Sequence, residues 1–143
     1  MKTNSIVGVI IVILVAAGAF GHARKTAEYR SPDLVAGYRG LILEMPGKQL
    51  AWIKKGDSLD VISVFEAKMK GDIREKVAAT ILQNVKVAGV DARKGTIVLL
   101  VNPNEAQYAS LAPVQGSLAL SLRARGDTKM AAIEIASYRK LIR

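Results

Sequence analysis

The side chains that most often do chemistry are scarce in this chain. Its 143 residues include no cysteine and a single histidine, His22, at the end of a long apolar run. Without cysteine there is no disulfide, no thiolate nucleophile and no Cys-ligated zinc. Because His22 belongs to the apolar N-terminal segment, it is not available to a catalytic triad or a metal site in the rest of the chain.

Paired carboxylates are the remaining route to acid–base catalysis. Asp57 and Asp60 are three residues apart, and on a strand such a spacing points two side chains to opposite faces. Asp72 and Glu75 alternate with Arg74 and Lys76, which is typical of a solvated charge cluster. No glycine-rich phosphate loop or acidic calcium loop is present. The sequence therefore predicts a non-enzymatic protein with no catalytic residues, no metal and no cofactor.

The charge balance is strongly basic, with a formal net charge of +9 and a pI of about 10.0. Such a balance attracts polyanions. The basic residues fall in pairs at apparent segment ends, and nucleic-acid binders usually interleave stacking aromatics with their charge. This chain has only two Phe, four Tyr and one Trp, and it lacks a recognisable nucleic-acid-binding motif. We therefore expect no nucleic-acid partner.

The N-terminus carries an uncharged apolar run over residues 6–20. From Ser5 to Ala23, at about 1.5 Å per residue, a helix just spans a bilayer core. Residues 1–23 are thus predicted to be a transmembrane anchor, with a signal segment cleaved after Ala19 or Ala23 as the alternative. Basic residues on both sides of the run leave its orientation open. Residues 24–37, which contain Ser31-Pro32-Asp33, are predicted to form a polar stalk.

Alternating apolar residues after the stalk predict an antiparallel β-rich domain. Leu59 and Val61 are expected on the inner face of a central strand, and Leu118, Leu120 and Leu122 on that of a final strand. The segment 73–82 is also compatible with a helix, but a strand paired with its predecessor is preferred. The predicted strands cover residues 38–45, 58–66, 73–82, 84–90, 96–101 and 117–123. Residues 91–95 are predicted to join two of these strands as a hairpin, since Gly95 can take the positive φ that a tight hairpin needs.

One short helix is predicted after residue 101. Asn102 has the side chain of an N-cap, and Pro103 suits the first helical position. Glu105 in the first turn favours the helix dipole. The inner face is expected to be formed by small or apolar residues, and Pro113 and Gly116 are expected to end the helix. That inner face comprises Ala106, Ala109, Leu111 and Ala112.

The fold class predicted is therefore mainly β, in the α+β class. It is a small antiparallel β-rich domain with one short helix, over residues 38–128, preceded by an N-terminal transmembrane helix. The tail, residues 129–143, shows alternation at Ile133 and Ile135 without turn residues to frame it, and its structure stays open.

Four motifs in order resemble the CpaB/RcpC family of Flp (Tad) pilus assembly proteins. The first is Lys55-Gly56-Asp57-Ser58-Leu59-Asp60-Val61-Ile62, similar to that family's Gly-Asp-x-hydrophobic-Asp-Val strand start. The others are Ile81-Leu82-Gln83-Asn84-Val85-Lys86-Val87, then Gly95-Thr96-Ile97-Val98-Leu99 with Pro103-x-Glu105-Ala106, and finally Gly116 to Arg123 with Gly126-Asp127.

The resemblance covers roughly residues 38–128 and departs from the family in two places. Members usually carry an SAF domain between the anchor and this module, where this chain has only the stalk. Ligand binding by that SAF half is therefore not carried over. Lys55 also stands where the family commonly has proline.

The resemblance implies a periplasmic accessory protein, held in the inner membrane by its N-terminal helix, that takes part in pilus assembly or secretion. The implied partners are the outer-membrane secretin and other pilus assembly proteins, and a homo-oligomer stays open. A soluble periplasmic form after signal cleavage is the alternative location. The alternative function is that of a membrane-tethered cationic domain that binds anionic lipid or cell-wall polymer.

Two aromatic residues are candidates for partner binding, Trp52 and Tyr108. Aromatic side chains dominate the energetics of many interfaces. The alternative for Trp52 is a core position beside Ile53.

Overall fold

The structure, a computed structural model, describes residues 33–141. The predicted anchor or signal segment and most of the stalk therefore lie outside the described residues. Within them, six strands and three helices follow one another along the chain: β1 (Arg39–Glu44), α1 (Gly47–Leu50), β2 (Ser58–Lys68), β3 (Arg74–Asp91), β4 (Thr96–Val101), α2 (Pro103–Gln115), β5 (Gly116–Leu122), β6 (Ala136–Ser137) and α3 (Tyr138–Leu141).

The strands form one antiparallel sheet in the order β1-β4-β3-β2-β5, and β6 pairs with β3 beyond the end of β4. This architecture confirms the prediction of a mainly antiparallel β domain. The predicted helix is the only one of the three longer than four residues in the described part of the chain. Both α1 and α3 are single turns, which are too short to be recognised from the periodicity of apolar residues.

Strand β2 is central, between β3 and β5, as its apolar residues on both faces predicted. Its inner face carries Leu59 and Val61, both fully buried, and the buried Ser63. The predicted inward direction of Leu118 and Leu120 is confirmed, since both pack against the core. The expectation that Leu122 is buried in the same way is wrong. Leu122 is 46% exposed, because it is the last residue of β5.

Residues 73–82 belong to a strand, as preferred over a helix, but the predicted break before residue 84 is wrong. One strand, β3, runs from Arg74 to Asp91. The predicted break falls beside Asn84, which has a positive φ of 53° and lies at a shift in the register with β2. Asparagine tolerates this left-handed conformation better than most residues, so the strand continues through a local irregularity.

The β3–β4 hairpin closes as predicted, with Gly95 at a φ of +68° in its turn. A side chain at Gly95 would also meet the backbone: a Cβ there would lie 2.7 Å from the carbonyl oxygen of Met45. The turn is therefore packed directly against the segment that follows β1.

Helix α2 begins as predicted and ends at Gly116, one of the two residues that were predicted to end it. The side chain of Asn102 accepts a hydrogen bond from the Glu105 N–H at 2.9 Å, and the Glu105 side chain accepts one from the Asn102 N–H at 2.8 Å. This reciprocal pair is a capping box. Pro113 lies inside the helix and does not end it. Pro113 lies in the last turn, where its missing N–H removes one backbone hydrogen bond and little helix follows it. The chain then leaves the helix at Gly116.

The C-terminal tail joins the sheet. Ala136 and Ser137 pair with Ala78 and Val77 of β3, so the segment after β5 crosses to the far edge of the β2–β3 hairpin. Ile133 and Ile135, whose alternation suggested a strand, are more than half exposed and precede the paired residues.

Candidate functional site

The most buried charged pair among the described residues joins β2 to the residue after β5. Arg123 Nε donates a hydrogen bond to Asp60 Oδ1 at 2.7 Å, and only 8% and 15% of the two side chains are exposed. Asp60 lies on the opposite face of β2 from Leu59 and Val61, so it faces away from the apolar core. We call Asp60 and Arg123 the polar clamp.

The polar clamp holds two further parts of the backbone. The N–H of Asn84 donates to the same Asp60 oxygen at 2.8 Å, which fixes the irregularity in β3. Arg123 Nη1 donates to the carbonyl oxygen of Lys129 at 2.8 Å, at the start of the crossing tail. Next to Asn84, the Gln83 side-chain amide exchanges two hydrogen bonds with the backbone of Ala131. The clamp thus ties β2, β3, β5 and the tail together.

The electrostatics of the clamp are those of a structural pair. The hydrogen bond to Asp60 raises the pKa of the Arg123 guanidinium above its ordinary value, so Arg123 stays charged. Asp60 Oδ1 is engaged by two donors, and within residues 33–141 no group of three or more His, Cys, Asp or Glu side chains could hold a metal ion.

Asp57, the other carboxylate of the first motif, shapes a turn. Its Oδ2 accepts a hydrogen bond from the Lys54 N–H at 2.8 Å, while Gly56 adopts a φ of +91°. The turn is then attached to β3, since the Gly56 N–H donates to the Val87 carbonyl and the Val87 N–H donates to the Asp57 carbonyl. The Gly-Asp-x-Leu-Asp pattern therefore encodes a turn and a clamp, and the two aspartates have separate structural roles.

Trp52 is exposed, and the interpretation that it fills the core beside Ile53 is wrong. Leu50 and Ile53 take the inward positions, at 1% and 7% exposure, and the turn between them leaves 83% of the Trp52 side chain accessible to water. Its direction is fixed by the backbone, because the Ile53 N–H donates to the Leu50 carbonyl. We call residues 46–57 the Trp52 turn.

The Trp52 turn is also basic. Lys48, Lys54 and Lys55 are exposed, and among the described residues no ion pair joins Lys48 or Lys54 to an acidic side chain. Lys48 precedes Trp52 by four residues with helical backbone through Ala51, a spacing that brings two side chains to the same side. Lys55 forms an ion pair with Asp33, so the chain arriving from the N-terminus lies beside the turn.

Tyr108 begins a second exposed apolar surface, on α2. Tyr108 is 74% exposed. Leu111, three residues after it, is 61% exposed, and Val114, three residues after Leu111, is 84% exposed. We call these three residues the α2 row. Leu111 had been expected on the inner face, and that prediction is wrong. Ala109 and Ala112 alone are buried, because the helix packs closely on the sheet through small side chains.

Leu111 and Val114 were missed as candidate interface residues, although a signal was available. Three alanines at positions 106, 109 and 112 mark one side of the helix, and the apolar residues at 108, 111 and 114 then fall on the opposite side. Trp52 and Tyr108 are carried by separate elements, the Trp52 turn and α2. Their exposure is a property of the structure, and their role in partner binding stays a prediction.

No family model, no curated protein and no solved structure matches this chain. Among residues 33–141, no helix combines the length and the apolar character needed to cross a bilayer.

Proposed function

We propose that this chain is a non-enzymatic, membrane-tethered assembly protein that acts in the periplasm with the outer-membrane secretin of an Flp (Tad) pilus or secretion apparatus. The four motifs that resemble the CpaB/RcpC family support the apparatus, and the apolar run over residues 6–20 supports the tether. The α2 row is the observation that carries a role in protein–protein contact.

The α2 row has the composition of an interface core. Apolar and aromatic side chains with few charges mark the buried centre of protein interfaces. Helix α2 contains one charged residue, Glu105, whose carboxylate is occupied in the capping box, and it has no basic residue. In a chain with a net charge of +9, this is an uncharged surface.

That absence of charge favours a protein partner over a polyanion for this surface. A cell-wall polymer or a nucleic acid would be attracted by lysine and arginine, which α2 lacks. An uncharged apolar row instead complements another apolar protein surface, and we assign the secretin as that partner. The helix is held rigidly by its capping box and its alanine-packed inner face, so the row is presented without a large ordering cost.

Site-specific photo-crosslinking tests the proposal in a bacterium that assembles Flp pili. A photoreactive phenylalanine replaces Leu111 or Val114 in the full chain, and the matched control places it at the exposed Lys70, in the β2–β3 turn. We expect an adduct that contains the secretin from the two α2 positions and none from position 70. The adduct should persist at high salt, because an apolar contact is not screened.

An α2 adduct with some other protein would contradict the assignment of the secretin. Equal adducts from positions 70 and 111 would contradict the α2 row as the docking surface, and so would the absence of any adduct from α2. A crosslink that disappears as the salt is raised would favour the alternative of a cationic polyanion-binding domain.

A further inference from the structure

A tryptophan that is 83% exposed, beside three lysines, is an unusual combination in a soluble domain. Tryptophan is highly buried on average in folded proteins. In proteins at membranes it is enriched at the boundary between lipid and water, where one part of the indole is apolar and the N–H stays wet. Lysines at the same depth are attracted by anionic headgroups.

We propose that the Trp52 turn docks on the surface of an anionic phospholipid bilayer and holds the domain against the membrane. The inference rests on the proposed tether, and it assigns to the tethered domain a second, reversible contact. In this arrangement Trp52 inserts into the headgroup boundary while Lys48 and Lys54 approach the phosphates.

The turn is built to present Trp52 outward. Leu50 and Ile53 are anchored in the core on either side of it, and five hydrogen bonds fix the backbone from residue 50 to residue 57. A fixed backbone loses little conformational entropy when the turn binds, which favours a docking role for the residue that it presents.

The charge of the turn is complementary to anionic lipid. The Trp52 turn contains three lysines, Lys48, Lys54 and Lys55, and one acidic residue, Asp57, so its formal charge is 3 − 1 = +2. The Asp57 carboxylate accepts the Lys54 N–H within the turn, and Asp33 forms an ion pair with Lys55. Lys48 and Lys54 have no ion pair with an acidic side chain among the described residues, and they are the lysines that we assign to the lipid phosphates. The α2 row has no basic residue, so these two exposed surfaces suit different partners.

The path of the chain places the turn within reach of the membrane. Asp33 contacts Lys55, and residues 21–32 separate Asp33 from the apolar run that ends at residue 20. A fully extended segment of that length spans at most about 45 Å. The short connection therefore gives the turn a high effective concentration at the bilayer surface, where even a weak attraction acts.

Trp52 is the only tryptophan in the chain, so its fluorescence reports this residue alone. The full chain is reconstituted into vesicles of phosphatidylcholine with and without phosphatidylglycerol, and each composition is also prepared with lipids brominated near the headgroup end of the acyl chain. Carbonate extraction of the same vesicles measures the tether separately.

We expect blue-shifted emission and quenching by brominated lipid only when phosphatidylglycerol is present, and both should weaken at about 1 M salt, where the Debye length is about 3 Å. Changing Lys48 and Lys54 to Gln should shift the docked equilibrium by about fivefold for each lysine. The matched control changes Lys70 and Lys129 to Gln, which removes the same charge elsewhere and should leave the quenching unaltered.

Emission at the wavelength of exposed tryptophan, without quenching in phosphatidylglycerol vesicles that resist carbonate, would overturn the docking site and leave the tether intact. A blue shift without quenching would show that Trp52 is covered by protein, such as a second copy of this chain, and would also overturn it. Equal quenching in both lipid compositions would contradict the role of the lysines. If carbonate releases the chain, the tether fails and the docking inference falls with it.

Discussion

Arg123 donates a hydrogen bond of 2.7 Å to Asp60, and through this contact the residue after β5 is fixed to the middle of the sheet. The same Asp60 oxygen accepts the N–H of Asn84, and Arg123 also holds the carbonyl of Lys129. One carboxylate therefore organises a strand irregularity and the departure of the C-terminal tail. This is the structural role of the second aspartate in the Gly-Asp-x-Leu-Asp motif.

Replacing Asp60 by alanine is expected to destabilise the domain, because the Asn84 N–H loses its acceptor and Arg123 its partner. An unsatisfied, partly buried amide alone costs about 1–3 kcal/mol. Urea unfolding measures the change, and hydrogen exchange at residues 129–131 should accelerate. The control, Glu66→Ala, removes the acceptor of the exposed Arg74 pair and should cost at most about 1 kcal/mol. Equal effects from the two variants would contradict the clamp.

The stability that the Asp60–Arg123 pair contributes depends on pH in a direction that follows from the pKa of Arg123. The pKa of Arg123 is raised in the folded protein, so its contribution to stability is fully present below the ordinary arginine pKa and is lost only as pH rises through the raised value. We therefore expect no loss of the Arg123 contribution between neutral and mildly alkaline pH. The difference in unfolding free energy between the parent and Arg123→Met, measured at several pH values in that range, should stay constant; a steady decline would contradict this.

Gly116, where α2 meets β5, should not tolerate a side chain. A Cβ at this position would overlap the carbonyl oxygen of Val64, a backbone atom that is held in the sheet. Gly116→Ala should therefore cost about 1–3 kcal/mol or more, as overpacking does. The control is Gly40→Ala, whose nearest contact is the flexible end of Leu34. Thermal denaturation of both variants measures the difference in stability. If Gly116→Ala is as stable as Gly40→Ala, the close approach of Gly116 to the Val64 backbone is contradicted.

Local patterns predicted much of this fold. The alternation in β2, the Gly95 hairpin and the Asn102-Pro103-Glu105 helix start are properties of a few neighbouring residues, and all appear as expected. Trp52 and Leu111 were misplaced because their direction depends on which neighbours reach the core first: Leu50 and Ile53 in one case, Ala109 and Ala112 in the other. The direction of Trp52 is set by tertiary packing, which periodicity over a few residues does not encode, whereas the spacing of the alanines at 106, 109 and 112 already marks the inner side of α2.

The polar clamp could not have been predicted from spacing. Asp60 and Arg123 are 63 residues apart in sequence, and the tail returns to β3 through backbone contacts at Ala131 and Ala136 that no side-chain pattern marks. The outward direction of the α2 row, in contrast, follows from the spacing of its residues opposite the three alanines, and the row is exposed because no further element covers it in the described part of the chain.

The capping box predicts the cost of losing Asn102. Asn102→Ala should destabilise the domain by about 0.5–2 kcal/mol, because the Glu105 N–H loses its acceptor. Asn104→Ala, in the same exposed turn but without a side-chain hydrogen bond to the helix end, is the control and should change stability little. Urea unfolding compares the two. Similar stabilities would show that the cap contributes nothing measurable.

The docking role of the α2 row should be separable from any effect on the stability of the domain. Leu111→Ala changes an exposed side chain and is expected to stay within about 0.5 kcal/mol of the parent, whereas Leu99→Ala empties a fully buried position and should cost about 2–5 kcal/mol. If the row docks the secretin, Leu111→Ala should reduce the adduct formed from position 114 at unchanged unfolding free energy. An unchanged adduct would indicate that Leu111 does not contribute to docking.

The measurement that tests the account most directly is the topology of the full chain. A reporter that is active only outside the cytoplasm is fused after Arg143, and the cells are fractionated. A tethered periplasmic assembly protein predicts external activity in the membrane fraction. Activity in the soluble periplasm would contradict the tether and indicate cleavage after Ala19 or Ala23. The absence of external activity would contradict the periplasmic location, and with it the proposed contact with the secretin.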